Sequence, residues 1–318
     1  MRKNGNLIKN VAILGYGSQG RAIALNLRDS GYEVIVGLKS RSRSRSTAKA
    51  DGMTAIYTFP DAVRKGSVIC FAFPDHLHGR IYREQIADYI VPGSSLLFLH
   101  GLSLHFGLIK PPTGCDVILL APHAPGVAVR EKYLSDRSIS AFYAIHQNSS
   151  GKARKTIFEL AQAVGFQKKR LVATTFEHEA LGDLFGEQAV LCGGLAMLIK
   201  TGFEVLIEKG IPSENAYLEV AYQLDLIVDL IRKHGIEGMF ERISVAARFG
   251  SLLSGPKIIG NPAKKQMKKA FDYIESGSFA KRLDNLTQSE VTGLRKALKA
   301  LSHPDLEKTA NKYSTSRK

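Results

Sequence analysis

The chain has 318 residues, 44% hydrophobic and 23% charged, with 44 Lys and Arg against 29 Asp and Glu and a formal net charge of +15. That length suggests two domains with sizeable cores, and the composition is that of an ordinary globular protein, not a disordered one. Three scattered cysteines without CxxC spacing argue against disulfides and a zinc cluster and fit a reducing cytoplasm, no apolar run is expected to reach membrane-span length, and the basic balance calls for an anionic partner.

The opening MRKNGNLIKNVAILGYG is charged, and its short apolar run breaks at glycines, so it reads as a first strand and not a signal peptide. Apolar, β-branched runs follow at 11–16, 33–38, 67–73, 95–100 and 116–121, separated in several places by helix-length segments. Strands alternating with helices predict a doubly wound parallel sheet of Rossmann type. SISAFYAIH (138–146) is expected to extend the sheet, with a helix GKARKTIFELAQAVG after it. GYGSQG (15–20) follows the first strand and opens a helix, the proper context of a dinucleotide fingerprint. Gly15 makes the turn, Gly17 admits a pyrophosphate and Gly20 lets helix and strand approach, with Tyr16, Ser18 and Gln19 between them.

The second strand ends in GLKSRSRSRS. NAD sites usually carry an acid there, whereas Lys39, Arg41, Arg43, Ser42 and Ser44 would hold a 2′-phosphate, so NADPH is the expected cofactor. The alternative is a solvated or disordered RS-type tract. FPDHLH places Asp75 and His78 at the carboxyl edge of the sheet, and His100 ends the run SLLFLH in the same way. That edge lines the ligand crevice of such folds.

From about residue 175 strand signals give way to helical patterns over 178–200, 201–209, 213–234, 237–250 and 262–275, with a polar tail from about 302 expected to fray. The division is expected at 174/175, giving a dinucleotide-binding domain (1–174) and an all-helical domain (175–318). Within GDLFGEQAVLCGG, Asp183 and Glu187 stand four apart and share one helix face in an otherwise apolar stretch.

These residues resemble the ketol-acid reductoisomerases in their short form. The matching motifs are GYGSQG, HGLSLHFGLIKPP, DVILLAPHAPG, HQNSSGKA, DLFGEQAVLCGGL, LIVDLI and SGSFAKR, spread from about 7 to 285. The resemblance implies NADPH, two Mg²⁺ ions, alkyl migration in an acetohydroxy acid followed by reduction of the 2-keto product, and a place in branched-chain amino-acid biosynthesis. It also implies a homodimer through intertwined helical domains. Residue by residue it makes Asp183, Glu187 and Glu219 metal ligands, with Gln223 where the family has a second acid. His123 and Gly126 fall in APHAPG, His123 replacing the family's lysine. Ser244 matches a substrate-contacting serine, and Arg248 stands where an acid is usual. Removing a charge from a Mg²⁺ site weakens it, and a histidine with pKa near ~6.5 is mostly neutral at pH 7 but can serve as a general acid. Together with His100, the expected catalytic groups are therefore His123 and Ser244. Three further readings stand beside the two-step enzyme: a reduction-only keto or imine reductase, a non-catalytic NADPH-binding paralogue, and nucleic-acid binding through KKQMKKAF. Of these, nucleic-acid binding is disfavoured by the missing finger and aromatic–basic signatures.

Overall fold

The computed structural model describes residues 8–314. Its contacts divide the chain into two units. The first runs to Gly182 and takes back Phe279–Asn285, and the second is Asp183–Ser278 with the residues from Leu286 onward.

The first unit is built on an eight-stranded sheet: β1 (Asn10–Leu14), β2 (Glu33–Gly37), β3 (Ile56–Tyr57), β4 (Val68–Phe71), β5 (Ser95–Phe98), β6 (Asp116–Pro122), β7 (Ala141–Gln147) and β8 (Leu171–Ala173), in the order β3-β2-β1-β4-β5-β6-β7-β8. The reversal of direction beside β1 is the switch point at which such sheets take dinucleotides. Both faces are covered, which is why the strands read as unbroken apolar runs. Val11, Ile13, Val68 and Cys70 belong to the core on one face, and Ala12, Leu14, Ile69 and Phe71 to the core on the other. Each fully buried Leu, Ile or Phe contributes about 1.5–3 kcal/mol by leaving water.

All six expected strands are present, and β3 and β8 join them at the two edges. One pairing departs from an all-parallel sheet. β7 runs antiparallel to β6, with Pro122 opposite Ala141 and Val117 opposite Gln147. After Pro122 the chain makes a helical excursion, Gly126–Leu134, and returns to the same end of the strand it left, so only an antiparallel pairing is open to it. The segment HLHGRIYREQIADYI is a chain of short α, π and 3₁₀ turns instead of one helix.

The second unit is helical. The two helices expected over 178–209 are one continuous course whose first residues, to Gly182, belong to the first unit: Phe176–Gly186, a π turn Glu187–Leu191, and Gly193–Glu208. The pattern 213–234 is likewise interrupted, into Ser213–Tyr217, a π turn Leu218–Tyr222, and Leu224–Glu241 with a kink at Gly235. Helices Val245–Ile258 and Asn261–Glu275 follow. The tail does not fray at 302: a capping box at Thr287 starts a helix Gln288–Leu301, and another runs Pro304–Tyr313. One apolar stretch does reach membrane-span length. The course Phe176–Glu208 holds an 18-residue window of mean hydropathy 1.8, enough to cross a membrane by length and composition, with 6% of it buried. Lys200 and Glu204 break the run in the sequence, yet they neutralise one another at 2.5 Å.

Candidate active site

The cofactor cradle is assembled at the carboxyl ends of β1, β2, β4 and β5. Gly15 has φ +107°, and a side chain there would strike the Ala72 carbonyl, so the turn admits only glycine. Next to it opens a cavity of about 590 Å³, lined among others by Gly17, Ser18, Gln19, Lys39, Ser42 and Ser44. Nothing lies within 4 Å of a Cβ built on Gly17, which leaves the space a pyrophosphate needs. Gln19 donates its amide to the Ala124 carbonyl at 2.7 Å, while its own amide oxygen is buried without a partner. Gly126 is a second steric requirement: a side chain there would overlap the Ser18 carbonyl, at the mouth of the first helix, Ser18–Asp29. The residues present fit a dinucleotide.

The basic loop is ordered, not a disordered tract, with Ser44 beginning a helix Ser44–Ala50. It also divides its labour. Arg45 is turned onto the backbone carbonyls of Lys39 and Tyr57, at 3.2 and 3.1 Å, and works as a staple. Ser42 accepts the Ser44 amide at 3.3 Å, shaping the turn. Lys39 lines the cavity, while Arg41 and Arg43 flank it on the loop. Tyr16 is buried, and its hydroxyl donates to Asp51, which also receives the Arg21 guanidinium at 2.6 Å. Asp51 is thus the nearby acid, and it is spoken for.

Asp75 lies just past the strand edge, half exposed, and His78 beside it is buried. His78 Nε2 donates to the Phe73 carbonyl at 2.8 Å, so Nδ1 accepts from the Ser103 hydroxyl at 2.8 Å. Burial pushes its pKa below the usual histidine range and keeps it neutral. His78 therefore walls the cavity with its ring while both nitrogens serve the fold.

His100 stands just past β5 and lines the same cavity. Its Nδ1 donates to Glu179 at 3.0 Å, and the Gly101 amide donates to the same carboxylate at 2.5 Å. Glu179 is 3% exposed, so this is a buried, doubly hydrogen-bonded acid orienting a histidine. Sequence reasoning missed it. The available signal was the series Glu179, Asp183, Glu187, three acids each four apart. His123 follows β6, shares a 3.0 Å hydrogen bond with Ser140 through Nδ1, and stands edge-on to Phe142 with centroids 4.2 Å apart. Partial desolvation lowers its pKa.

In the helical unit Asp183 and Glu187 are both exposed, and Glu187 begins the first π turn. The wide turn is visible in the bond from the Cys192 amide to the Glu187 carbonyl at 3.0 Å. It brings the Gln188 and Ala189 carbonyls to 2.2 and 2.1 Å of where side chains on Gly193 and Gly194 would be, which explains the double glycine of LCGG. Glu219 lies in the second π turn, and Gln223 donates to its carboxylate at 3.0 Å. Ser244 caps the helix Val245–Ile258, accepting the Ala247 amide at 3.1 Å, and Arg248 donates to the Phe240 carbonyl at 2.8 Å. Carboxylate and amide oxygens are the hard donors that Mg²⁺ takes. Among the described residues of one chain, no three His, Cys, Asp or Glu side chains come together as a metal cluster.

A glycine-turn pocket at the switch point of a mainly parallel sheet, followed by a helical unit, is the architecture of a dinucleotide-dependent oxidoreductase. The sequence pattern of the acetohydroxy acid isomeroreductase NADPH-binding domain matches residues 7–169, and that of the ketol-acid reductoisomerase C-terminal domain matches residues 176–317. The chain is 46% identical over 297 residues to the ketol-acid reductoisomerase (NADP(+)) of Pyrobaculum aerophilum, spanning 93% of this chain and 90% of that one. It is 44% identical over 273 residues to the ketol-acid reductoisomerase (NADP(+)) of Petrotoga mobilis, spanning 86% and 82%. The solved structure of an NADH-preferring ketol-acid reductoisomerase from an uncultured archean superposes with a TM-score of 0.89 at 37% identity, over 96% of this chain and 93% of that one. The chain belongs to the ketol-acid reductoisomerase family, and it is accordingly an NADPH-dependent oxidoreductase.

Proposed function

We propose that the chain reduces a 2-keto acid with NADPH and Mg²⁺, and that alkyl migration from an acetohydroxy acid is slowed relative to reduction. The observation that carries the reading is the NADPH cradle with the Glu179–His100 pair at its wall. Lys39, Arg41, Ser42 and Ser44 hold the 2′-phosphate, the turn Gly15–Gly20 with Gly126 seats the pyrophosphate, and Asp75 and His78 shape the far wall. Glu179 fixes His100 in one tautomer, with Nδ1 as donor, so that the ring faces the reacting atoms in a set orientation. Asp183, Glu187, Glu219 and Gln223 would hold Mg²⁺, which would supply Lewis-acid polarisation of a substrate oxygen. His123 moves a proton at Nε2 while Nδ1 is held by Ser140, and Ser244 contacts substrate at the head of its helix.

The slowed migration is argued from charge. Gln223 is neutral, and its amide hydrogens point to Glu219, so the second donor pair carries one negative charge instead of two. Migration depends most on polarisation by two cations, and reduction depends on it less. Neutral His123 removes a fixed cation, and Arg248 adds one on the serine's helix.

A homodimer through the helical unit is part of the proposal. That unit leaves Leu191, Leu226, Ile236, Val245, Phe249 and Ile258 each at least 64% exposed. A second copy covering these faces also accounts for the span-length apolar helix without a membrane. Cytoplasmic residence fits the three unpaired cysteines, Cys70, Cys115 and Cys192. The test is NADPH oxidation with the rearranged 2-keto isomer of 2-acetolactate. Turnover that stops on chelation of Mg²⁺ supports the reading, and turnover indifferent to chelation overturns the metal's role.

A further inference from the structure

Tyr313 closes the last helix, Pro304–Tyr313. Its hydroxyl donates to Glu214, which also takes the Lys312 ammonium at 2.7 Å. Its ring stacks on Tyr217 with centroids 5.9 Å apart and lies 5.7 Å from the ring of Tyr222. Those two rings are themselves 6.3 Å apart. Tyr217 immediately precedes the π turn Leu218–Tyr222, and Tyr222 ends it.

The spacing of the two tyrosines carries the argument. In an α-helix five residues make about 1.4 turns, so residues 217 and 222 would point in different directions. A π turn closes at i→i+5 and brings residues five apart onto one face. The Tyr313 ring can therefore touch both only while the turn is wide. A π turn is rare in a helix, and an external contact that fits only the wide form favours it over the α form.

We infer that Tyr313 is a positioning residue for the Mg²⁺ donors: by clasping Tyr217 and Tyr222 it holds the wide turn that carries Glu219 and ends at Gln223, and so fixes where both donors stand. This rests on reading Glu219 and Gln223 as metal ligands. Glu214 and Lys312 fix Tyr313 in turn, so the helix Pro304–Tyr313 is tied to the second donor pair through a three-tyrosine contact.

The test uses the full chain without substrate. Wild type, Tyr313→Ala, Tyr313→Phe and Glu219→Ala are titrated with Mg²⁺ by calorimetry, and NADPH affinity is measured alongside. Tyr313→Ala should weaken Mg²⁺ roughly threefold to tenfold, at or below the ~10–100-fold cost of losing a direct outer-shell partner. Tyr313→Phe keeps the ring contacts and should rescue most of that loss, and NADPH affinity should not move in either. Amide exchange over 218–223 should quicken in Tyr313→Ala alone. Wild-type Mg²⁺ affinity in Tyr313→Ala, with affinity lost in Glu219→Ala, overturns the proposal and leaves the metal reading standing. Wild-type affinity in Glu219→Ala removes the metal reading and the proposal with it. If Tyr313→Ala does not fold, Tyr313→Leu decides by the same criterion.

Discussion

The buried carboxylate of Glu179 receives both the Gly101 amide and Nδ1 of His100. One acid thus fixes the backbone after β5 and the histidine at its end. Glu179→Gln should lower kcat by about tenfold to a hundredfold, the usual cost of disturbing a group that orients an active-site ring. NADPH affinity should change little, because no cradle contact is lost. An unchanged kcat in steady-state assays would remove Glu179 from the chemistry.

The basic loop makes a separable prediction. Neutralising Lys39 and Arg41 should cost NADPH about 1.5–3 kcal/mol for each charge-assisted bond lost and leave NADH nearly untouched. Arg45→Ala should instead lower stability, since Arg45 is bonded to the Lys39 and Tyr57 carbonyls. Equal losses for the two cofactors, measured by fluorescence titration, would contradict this division.

Gly193→Ala should destabilise the chain by about 1–3 kcal/mol, the range for an overpacked site, because its Cβ would sit 2.2 Å from the Gln188 carbonyl. The π turn at Glu187 would have to shift, so Mg²⁺ affinity should fall in the same variant. A denaturant melt identical to wild type would show that the turn relaxes freely.

Gln223→Glu should tighten Mg²⁺ binding by restoring the missing charge. No tightening in a calorimetric titration would mean that position 223 does not meet the ion.

His78 sets an acid limit on stability. Its folded pKa lies below its ordinary value of about 6.5, so folding favours the neutral ring. The contribution is present in full above about pH 6.5 and is lost as pH falls below it, because the unfolded chain then binds the extra proton. The melting temperature should fall from pH 7 to pH 5, and His78→Gln should flatten that slope. An unchanged slope would mean that other groups govern it.

The six main strands, the glycine turn and the helical second half were legible because each is a long local pattern. β3 and β8 were not: strands of two and three residues carry no alternation to read. The antiparallel β7 depends on where the chain returns after Gly126–Leu134, which apolar patterning does not encode. The π turns were hidden because a single five-residue turn is too short to stand out from the helical apolar pattern on either side of it, although the adjacent Gly193 and Gly194 were a mark of one of them. Glu179 was passed over because an acid in the first turn of a helix reads as favourable to the dipole, and only the fold turns it towards His100.

The most direct measurement is the ratio of NADPH turnover on 2-acetolactate to turnover on its rearranged 2-keto isomer, with Mg²⁺ present. Faster turnover of the isomer is the result this account predicts, since reduction is kept and migration is slowed by Gln223 and His123. Equal turnover of both, or none on either with NADPH bound, would contradict it.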